Sequence, residues 1–350
     1  MKVLLEAHHP AHIHFWKYPV RELQARGHEV LMIGRDRDVM RRLLEVYDWI
    51  PAEIPKRRTK NNRFPLAEML ERQWAVARAI RRFKPDVVAS LMGSYTQSSK
   101  LFGVRNIIFT DTETQAFNHL IAHPFADEIH TPDCFLLDFG KKHRRYAGLH
   151  ENAYLAAEYF EPNPIVPAKY GLNQGKPYLI LRMSAWNTFH DRDRQGISDS
   201  VYDFVDQVNK HYDILLSAEE GKVRPGLEAY ALTFAPEDFH SLIAGARFVV
   251  TEGASTASEA ACLGVPSIFI NSVGDLGNFK LLSNHFGLIR AHRGAVTGIP
   301  AALELAKQCE TGVPDAFTES YRDFRESRVD VCRYVTDAIL RRSELSPGNR

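Results

Sequence analysis

The sequence has no apolar run long enough to cross a membrane. A spanning helix needs about 20 predominantly apolar residues, whereas the first apolar run, KVLLEA at residues 2–7, turns polar at once. We therefore expect neither a spanning segment nor a signal peptide. The sequence also lacks an excess of one charge sign, because it has 44 basic and 43 acidic residues. This balance gives no reason to expect nucleic-acid binding.

Cysteine is scarce, and several common motifs are missing. The four cysteines, at positions 134, 262, 309 and 332, form no CxxC pair, which predicts reduced thiols in a cytoplasmic protein. The chain has no Walker-type glycine loop, no complete dinucleotide fingerprint after a strand and no Gly-x-Ser-x-Gly elbow. These absences argue against P-loop, dehydrogenase and α/β-hydrolase chemistry. With 350 residues, 45% of them hydrophobic, the chain is long enough for two globular domains.

Short β-rich runs alternate with helical patterns twice along the chain. In the first half we predict strands at residues 2–7, 28–34, 86–91, 106–111, 128–132 and 152–156. In the second half we predict strands at residues 178–184, 212–218, 248–253, 266–271 and 287–292. Residues 160–177, with four prolines and two glycines, separate the two series as a linker would.

Two successive βαβ series predict an α/β protein with two Rossmann-like, doubly wound parallel-sheet domains that face a cleft. We expect a first domain at residues 1–160, a linker at 161–177 and a second domain at 178–316. Helices at residues 317–350 follow. One arrangement open to them is to cross back and pack on the first domain. Ligands of such sheets bind beyond the carboxyl ends of the strands, so we expect the functional residues in the loops that follow strands.

The stretch TEGASTASEAACLGVPSIFI, residues 251–270, is the most informative of these loops. A buried strand is predicted to end at Gly253 and a helix to begin near Ser255 or Thr256, where free backbone N–H groups suit a phosphate. Glu259 follows within about one turn, where a carboxylate can accept both hydroxyls of a ribose. The spacing of Thr256 and Glu259 also fits a capping box, so both interpretations stay open.

This stretch resembles the donor-binding segment of glycosyltransferases with the GT-B fold. It is similar to the lipid-II-forming N-acetylglucosaminyltransferase and to the non-hydrolysing UDP-N-acetylglucosamine 2-epimerases. Their pattern of a small turn, a Ser/Thr-rich helix start, a Glu and a Gly-x-Pro is met by Gly253, Ser255, Thr256, Glu259, Gly264 and Pro266. The resemblance implies that Glu259 binds the ribose and that Ser255 and Thr256 face the diphosphate.

Further segments resemble a family of archaeal and bacterial GT-B-like proteins of undefined reaction. The segments are HPAHIHFWK, RGHEV, FTDTE, HPFADEIHTP and EAACLGVP. They extend over roughly residues 1–290. This resemblance is specific for the fold and says little about the reaction.

The loop after the first strand contains His8, His9, His12 and His14. His8 and His12 have the four-residue spacing of a helical zinc pair, but no neighbouring Asp, Glu or Cys stands out as a third ligand, so we expect no metal. In the lipid-II-forming transferase pattern a His begins the first helix, and His12 takes that place. The resemblance implies that His12 holds or deprotonates the acceptor, with His8 in the same loop. We expect His9 and His14 to cap or to pack.

Two other loops carry candidate residues. Asp111 and Glu113 follow a central strand, and in the epimerases a Glu after the equivalent strand lies in the active site, which Glu113 matches. Capping of the next helix by Asp111 or Thr112 is the alternative. After the strand at 178–184, Arg182 can neutralise a leaving diphosphate, Ser184 can donate to it, and His190 can close over the donor.

The leading hypothesis is a metal-independent glycosyltransferase that uses a UDP-linked sugar in cell-surface glycan or glycolipid synthesis. Its expected catalytic residues are His12, Glu113 and Asp111. Its expected donor-binding residues are Arg182, Ser184, His190, Gly253, Ser255, Thr256 and Glu259.

Two alternatives stay open beside it. One is a sugar-nucleotide 2-epimerase or hydrolase that uses Asp111, Glu113 and His190 as acid and base. The other is a non-catalytic nucleotide-sugar-binding protein. The expected partners are a nucleotide sugar and an acceptor, whose attachment to a lipid stays open, as does contact of the basic stretch 56–63 with the inner face of the membrane. No cofactor is expected.

Overall fold

The computed structural model describes residues 1–35, 38–55, 65–93, 95–183, 197, 199–218, 223–271 and 276–341. The chain folds into two compact units. The first consists of Met1–Tyr154 and of the C-terminal segment that begins at Val329, and the second consists of Leu155–Arg328. Among the described helices, none has both the length and the apolar character needed to cross a membrane.

Each unit is built on one parallel sheet. The first sheet has seven strands in the order β3-β2-β1-β4-β5-β6-β7, and the second has five in the order β12-β11-β10-β8-β9. The strands of the first unit are β1 Lys2–Ala7, β2 Glu29–Gly34, β3 Ala52–Glu53, β4 Val87–Ser90, β5 Arg105–Phe109, β6 Glu128–Pro132 and β7 His143–Tyr146. Those of the second are β8 Tyr178–Met183, β9 Asp213–Ala218, β10 Val249–Thr251, β11 Ser267–Ile270 and β12 Ile289–His292.

Helices cover both faces of the sheets. The helices of the described residues are α1 Pro10–Ala25, α2 Asp38–Val46, α3 Pro65–Phe83, α4 Thr96–Leu101, α5 Ala116–Ala122, α6 Asn152–Leu155, α7 Val166–Lys169, α8 Ser200–Val208, α9 Phe239–Gly245, α10 Ala254–Cys262, α11 Gly277–Phe279, α12 Ala295–Gln308, α13 Asp315–Glu326 and α14 Val331–Leu340. A π-helical segment, Lys280–His285, continues α11.

The central strand β1 shows why this sequence forms a covered parallel sheet. Val3 and Leu5 are fully buried in one core cluster, which includes Trp16 of α1, and Leu4 is buried in a second cluster. Because successive side chains of a strand point to opposite faces, an uninterrupted apolar run supplies both helical layers at once.

In each sheet the direction in which successive strands are added reverses at one strand. The chain moves outward from β1 to β2 and then returns to the other side of β1 at β4, and it does the same at β8 between β9 and β10. In open α/β sheets, ligands bind beyond the carboxyl ends of the strands at this switch point. A ligand site is therefore expected among the residues that follow β1 and β4 in the first unit and β8 and β10 in the second.

One predicted strand of the first unit is wrong. Residues 152–156, expected as a strand, contain helix α6, and the seventh strand is β7. Asn152 Oδ1 accepts a hydrogen bond from Leu149 N at 2.8 Å, which favours a turn into a helix. A run of four or five apolar residues fits either element, and the polar sequence HRRY of the edge strand β7 gave no strand signal.

The units divide at positions other than 160 and 178. The first unit ends at Tyr154, and residues of the expected linker lie in the second unit, where Val166 and Leu172 join the core cluster of Tyr178. In the C-terminal part, α13 belongs to the second unit, whereas α14 packs in the first. There Arg26 Nη1 donates to Asp337 Oδ1 at 2.7 Å. Residues 160–177 therefore pack into the second unit through buried apolar side chains, although their proline and glycine content predicted a linker.

Candidate functional site

Arg182 lies at the switch point of the second sheet, one residue before the end of β8. Thr251, the last residue of β10, pairs with Arg182 in the register of the two strands. Arg182 Nη1 donates to Ser217 Oγ on β9 at 2.9 Å, and the guanidinium lies over the ring of Phe239, 5.2 Å from its centroid. A half-buried cation is thereby held beside the carboxyl end of β10.

The helix that follows β10 begins earlier than predicted. It starts at Ala254, with Gly253 as N-cap and no side-chain cap hydrogen bond. Thr256 is thus inside the first turn, and the capping-box alternative for Thr256 and Glu259 is wrong. The first N–H groups of a helix have no acceptor within it, so this turn offers donors and partial positive charge to an anion.

Arg182, Gly253 and Thr256 converge at this helix start. A methyl group on Gly253 would stand 3.7 Å from Thr256 Oγ1 and 4.0 Å from Arg182 Nε. Thr256 is buried, and Ser255 is exposed. Arg182, Gly253 and Thr256 therefore lie close together at the helix start. They combine a guanidinium, a hydroxyl and backbone donors, a donor set suited to a phosphate.

Glu259 lies farther along α10 than expected. It is the sixth residue of the helix rather than a first-turn residue, about 7.5 Å from Ala254 at 1.5 Å per residue. Its Oε1 atom lies 3.0 Å from His240 Nε2 of α9, and both side chains are buried. His240 was not predicted from the sequence, because it lies 19 positions from Glu259 on a separate helix.

Two further features surround this region. The Glu252 carboxylate is buried and accepts a hydrogen bond from Ile197 N at 2.7 Å. A cavity of about 220 Å³ lies at the ends of β11 and β12 and is lined in part by Phe269, Lys280 and Arg293. No motif in the sequence pointed to this cavity.

In the first unit, His8 and His12 lie together at the switch point between β1 and β4. Their ring centroids are 4.8 Å apart, and His8 Nδ1 contacts the Oε1 atom of Glu6. His12 is buried, and burial holds its pKa well below the usual value, with smaller contributions from His8, His9 and His150. His12 is consequently a neutral imidazole at pH 7.

Glu6 was missed in the sequence analysis, which found no acidic neighbour of the histidines. His8 directly follows β1, and residues two apart in an extended segment point to the same side, so Glu6 lies beside His8. The other two histidines have the structural roles expected of them. His9 Nδ1 accepts from Ala11 N at 3.3 Å at the start of α1, and the His14 ring stacks on Tyr154.

The side chains of Asp111 and Glu113 have different partners in the first unit. Asp111 Oδ2 lies 3.3 Å from Nδ1 of the buried His150, and burial lowers the pKa of His150 although Asp111 raises it. Glu113 Oε1 accepts from Leu136 N at 3.2 Å. The N-cap of α5 is Gln115, so the capping alternative for Asp111 and Thr112 is wrong. The structure thus links Asp111 to His150, a residue that the sequence analysis did not select.

Two predicted donor residues, Ser184 and His190, lie outside the described residues, as does the basic stretch 56–63. Their expected roles stay predictions. All four cysteines are among the described residues, and none of them forms a disulfide.

A family model with the description "Protein of unknown function (DUF354)" matches residues 1–293. A comparison with curated proteins found no match. Among solved structures, the chain is similar to UDP-GlcNAc 2-epimerase from Neisseria meningitidis bound to UDP-GlcNAc, with a TM-score of 0.68 and 10% identity over 97% of this chain and 99% of that one.

Two other solved structures are also similar. MurG of Acinetobacter baumannii gives a TM-score of 0.61 with 16% identity, over 97% of this chain and 99% of that one. UDP-GlcNAc 2-epimerase from Methanocaldococcus jannaschii gives 0.63 with 11% identity, over 93% and 99%. At such identities the likeness concerns the fold, and the α/β, GT-B-like fold expected from the sequence is confirmed.

Proposed function

This chain belongs to the DUF354 family, and we propose that it is a glycosyltransferase that takes its sugar from a UDP-linked donor. The observation that carries the proposal is the convergence of Arg182, Gly253 and Thr256 at the start of α10, with Glu259 farther along the same helix. Solved structures of the same fold include one bound to UDP-GlcNAc, which supports a UDP-sugar as the donor.

In this proposal the second unit holds the nucleotide diphosphate. Arg182 and the first N–H groups of α10 meet the charge that develops on the leaving diphosphate, so that no metal ion is needed at that group. Because Ser217 and Phe239 already hold the guanidinium, little reorganisation is required when the charge appears. Glu259, oriented by His240, accepts the ribose hydroxyls. Ser255, exposed at the helix start, adds a further donor.

The first unit supplies the acceptor side. His12, neutral because it is buried, accepts a proton from the acceptor hydroxyl. The pair of Asp111 and His150, whose His150 member contributes to the lowered pKa of His12, adds a second polar pair to the same unit. Glu113 orients the acceptor.

The second candidate function is epimerisation of the UDP-sugar. It is favoured by the pair of the half-buried Asp111 and the buried His150, because removal and return of a proton at a sugar carbon needs an acid and a base. Product analysis separates the two functions. Epimerisation gives a new UDP-sugar without an acceptor, whereas transfer releases UDP only when an acceptor is present.

Calorimetry tests the donor site directly. We would titrate uridine, UDP and UDP-GlcNAc into the wild-type chain and into the Glu259→Gln, Glu259→Ala and Glu310→Ala variants. Glu310 is a surface carboxylate of the same unit that lies 3.9 Å from His211, and its loss serves as control. We expect the wild type and Glu310→Ala to bind UDP alike and both Glu259 variants to bind it at least about tenfold more weakly, about 1.4 kcal/mol.

Thermal unfolding provides a second measurement, since a ligand that binds the native state raises the melting temperature. If none of the three ligands binds the wild type, the donor site is wrong and so is the proposed function. If UDP binds and Glu259→Gln binds it equally well, the diphosphate assignment survives and the ribose assignment fails.

A further inference from the structure

Glu6, His8 and His12 form a buried cluster at the switch point of the first sheet. Each offers one ligand atom, and these atoms all lie within 4.8 Å of one another. The three residues are 1%, 6% and 8% exposed. The sequence predicted no third ligand beside His8 and His12, and Glu6 supplies one.

We propose that Glu6, His8 and His12 bind one divalent first-row transition-metal ion, with Zn²⁺ as the reference ion. Two His and one Glu form the ligand set of a known class of catalytic zinc sites, and imidazole also suits Fe, Ni and Cu. Ligand atoms about 2.1 Å from a tetrahedral ion stand about 3.4 Å apart, so the cluster requires only small side-chain adjustments to close around an ion.

Two buried atoms of the cluster have no hydrogen-bond partner among the described residues. They are Glu6 Oε2 and His12 Nδ1. Buried polar side-chain atoms are almost always paired, and a lone pair on each of these atoms points to a missing electrophile. When the neutral His12 ring carries its proton on Nε2, one metal ion can accept a lone pair from both of these atoms.

The surroundings hold the ligands in place. Trp16 Nε1 donates to the backbone oxygen of Glu6 at 3.0 Å, which fixes the end of β1. His8 Nε2 lies 2.8 Å from Met92 Sδ, just after β4. Such outer contacts orient metal ligands and set their affinity.

The charge of Glu6 is the critical feature of this cluster. An ion beside the start of α1 meets the positive end of the helix dipole, and imidazole ligands carry no negative charge that would offset this repulsion. The Glu6 carboxylate does, and within the described residues its side-chain contact is His8. Removal of this single charge should therefore weaken metal binding even when the shape of the site is kept.

The proposal goes beyond the donor site of the second unit and revises one role in the proposed function. With a metal ion bound, His12 is a ligand and not the base that receives the acceptor proton, and Asp111 with His150 is the remaining acid and base pair of the first unit. Three protein ligands leave a coordination position for water or for an oxygen of a substrate.

The test uses the full-length protein stripped with a chelator. Zn²⁺ is titrated in competition with a chromophoric chelator, and bound metal is counted by mass spectrometry. We expect one equivalent in the wild type. In Glu6→Gln and His12→Ala the Kd should rise at least about 10–100-fold, the range that outer-shell groups alone account for.

The matched control is His9→Asn. It removes a histidine from the same loop and keeps an N-cap side chain, so its Kd for Zn²⁺ should equal that of the wild type. Circular dichroism shows whether each variant is folded. The d–d absorption of bound Co²⁺ shows whether the ion has nitrogen and oxygen ligands. Preference for Co²⁺ or Fe²⁺ over Zn²⁺ at these residues also supports the proposal.

The proposal is overturned if the stripped wild type takes up no stoichiometric metal. It is equally overturned if Glu6→Gln and His12→Ala bind Zn²⁺ as the wild type does, or if His9→Asn loses as much affinity as they do. UDP titrations on the same samples keep the two proposals apart. If the wild type binds UDP but no metal, only the metal site is refuted. If it binds metal but not UDP, only the donor site is refuted.

Discussion

Glu259 Oε1 lies 3.0 Å from His240 Nε2, and both residues are 6% exposed. The contact joins α9 to α10 inside the second unit. A buried carboxylate that loses its partner keeps the full cost of leaving water, so this contact connects the proposed ribose ligand with the stability of its unit.

Replacement of the partner, His240→Leu, should therefore destabilise the second unit by about 1–3 kcal/mol. Urea unfolding measures the change. His211→Leu is the matched control in the same unit, because the His211 side chain is exposed and lies 3.9 Å from Glu310. It should stay within about 0.5 kcal/mol of the wild type. Equal losses in the two variants would show that the buried contact contributes nothing.

Gly264→Ala should destabilise the chain more than Gly287→Ala does. Both glycines have a positive φ, of 74° and 66°, so both substitutions carry a strain of about 1–2 kcal/mol. Only at position 264 would the new Cβ meet another residue, 2.6 Å from a ring atom of Tyr321, whereas Gly287 has nothing within 4 Å. We expect an additional loss of about 1–3 kcal/mol from the overpacking.

A double-mutant cycle isolates this overpacking. In a Tyr321→Leu background the additional cost of Gly264→Ala should disappear, although Tyr321→Leu itself loses the hydrogen bond from Tyr321 Oη to Cys262 O. An interaction energy near zero in the cycle would place the cost of Gly264→Ala in the backbone alone.

The sequence predicted the central strands well because their apolar runs are long and uninterrupted. KVLLEA and YLILRM were located to within a residue, as β1 and β8. It failed at the edge of the first sheet, where β7 is polar and the apolar run of α6 is too short to have a period. The start of α10 was misplaced because Ala254 cannot be told from the turn before it.

The site was predictable where the ligand groups follow their strand directly. Arg182, Gly253 and Thr256 were selected from the sequence, and the structure brings them together. Glu6, His150 and His240 were missed. Glu6 lies inside a run that signals core, and the other two reach their partners only through tertiary packing, which one sequence with no alignment does not encode locally.

Arg182→Lys should weaken UDP binding and leave uridine binding unchanged. The planar guanidinium can donate two parallel hydrogen bonds to phosphate oxygens, which an ammonium cannot, and Ser217 holds it at 2.9 Å. We expect the Kd for UDP to rise at least about tenfold in calorimetry. Arg224→Lys, which alters an exposed pair with Asp199, should have no effect. An equal loss for uridine would indicate damage to the fold rather than to a diphosphate contact.

Acidification should destabilise the first unit through His123. Burial lowers the pKa of this buried histidine to about 4, and His119, His143 and Lys142 contribute in the same direction. Below about pH 6.5 the unfolded chain therefore binds a proton that the folded chain does not. The free energy of unfolding should fall as the pH drops from about 6.5 towards 4, by up to about 1.4 kcal/mol per pH unit for this one group.

The variant His123→Leu removes that proton from the balance. Its free energy of unfolding, followed by tryptophan fluorescence in urea, should depend less steeply on pH than that of the wild type between about pH 4 and 6.5. The difference between the two proteins should be constant from pH 7 to 8, where both states of the wild type hold His123 neutral, and this interval is the internal control. Parallel curves over the whole range would mean that His123 keeps its proton on folding and that burial does not shift its pKa.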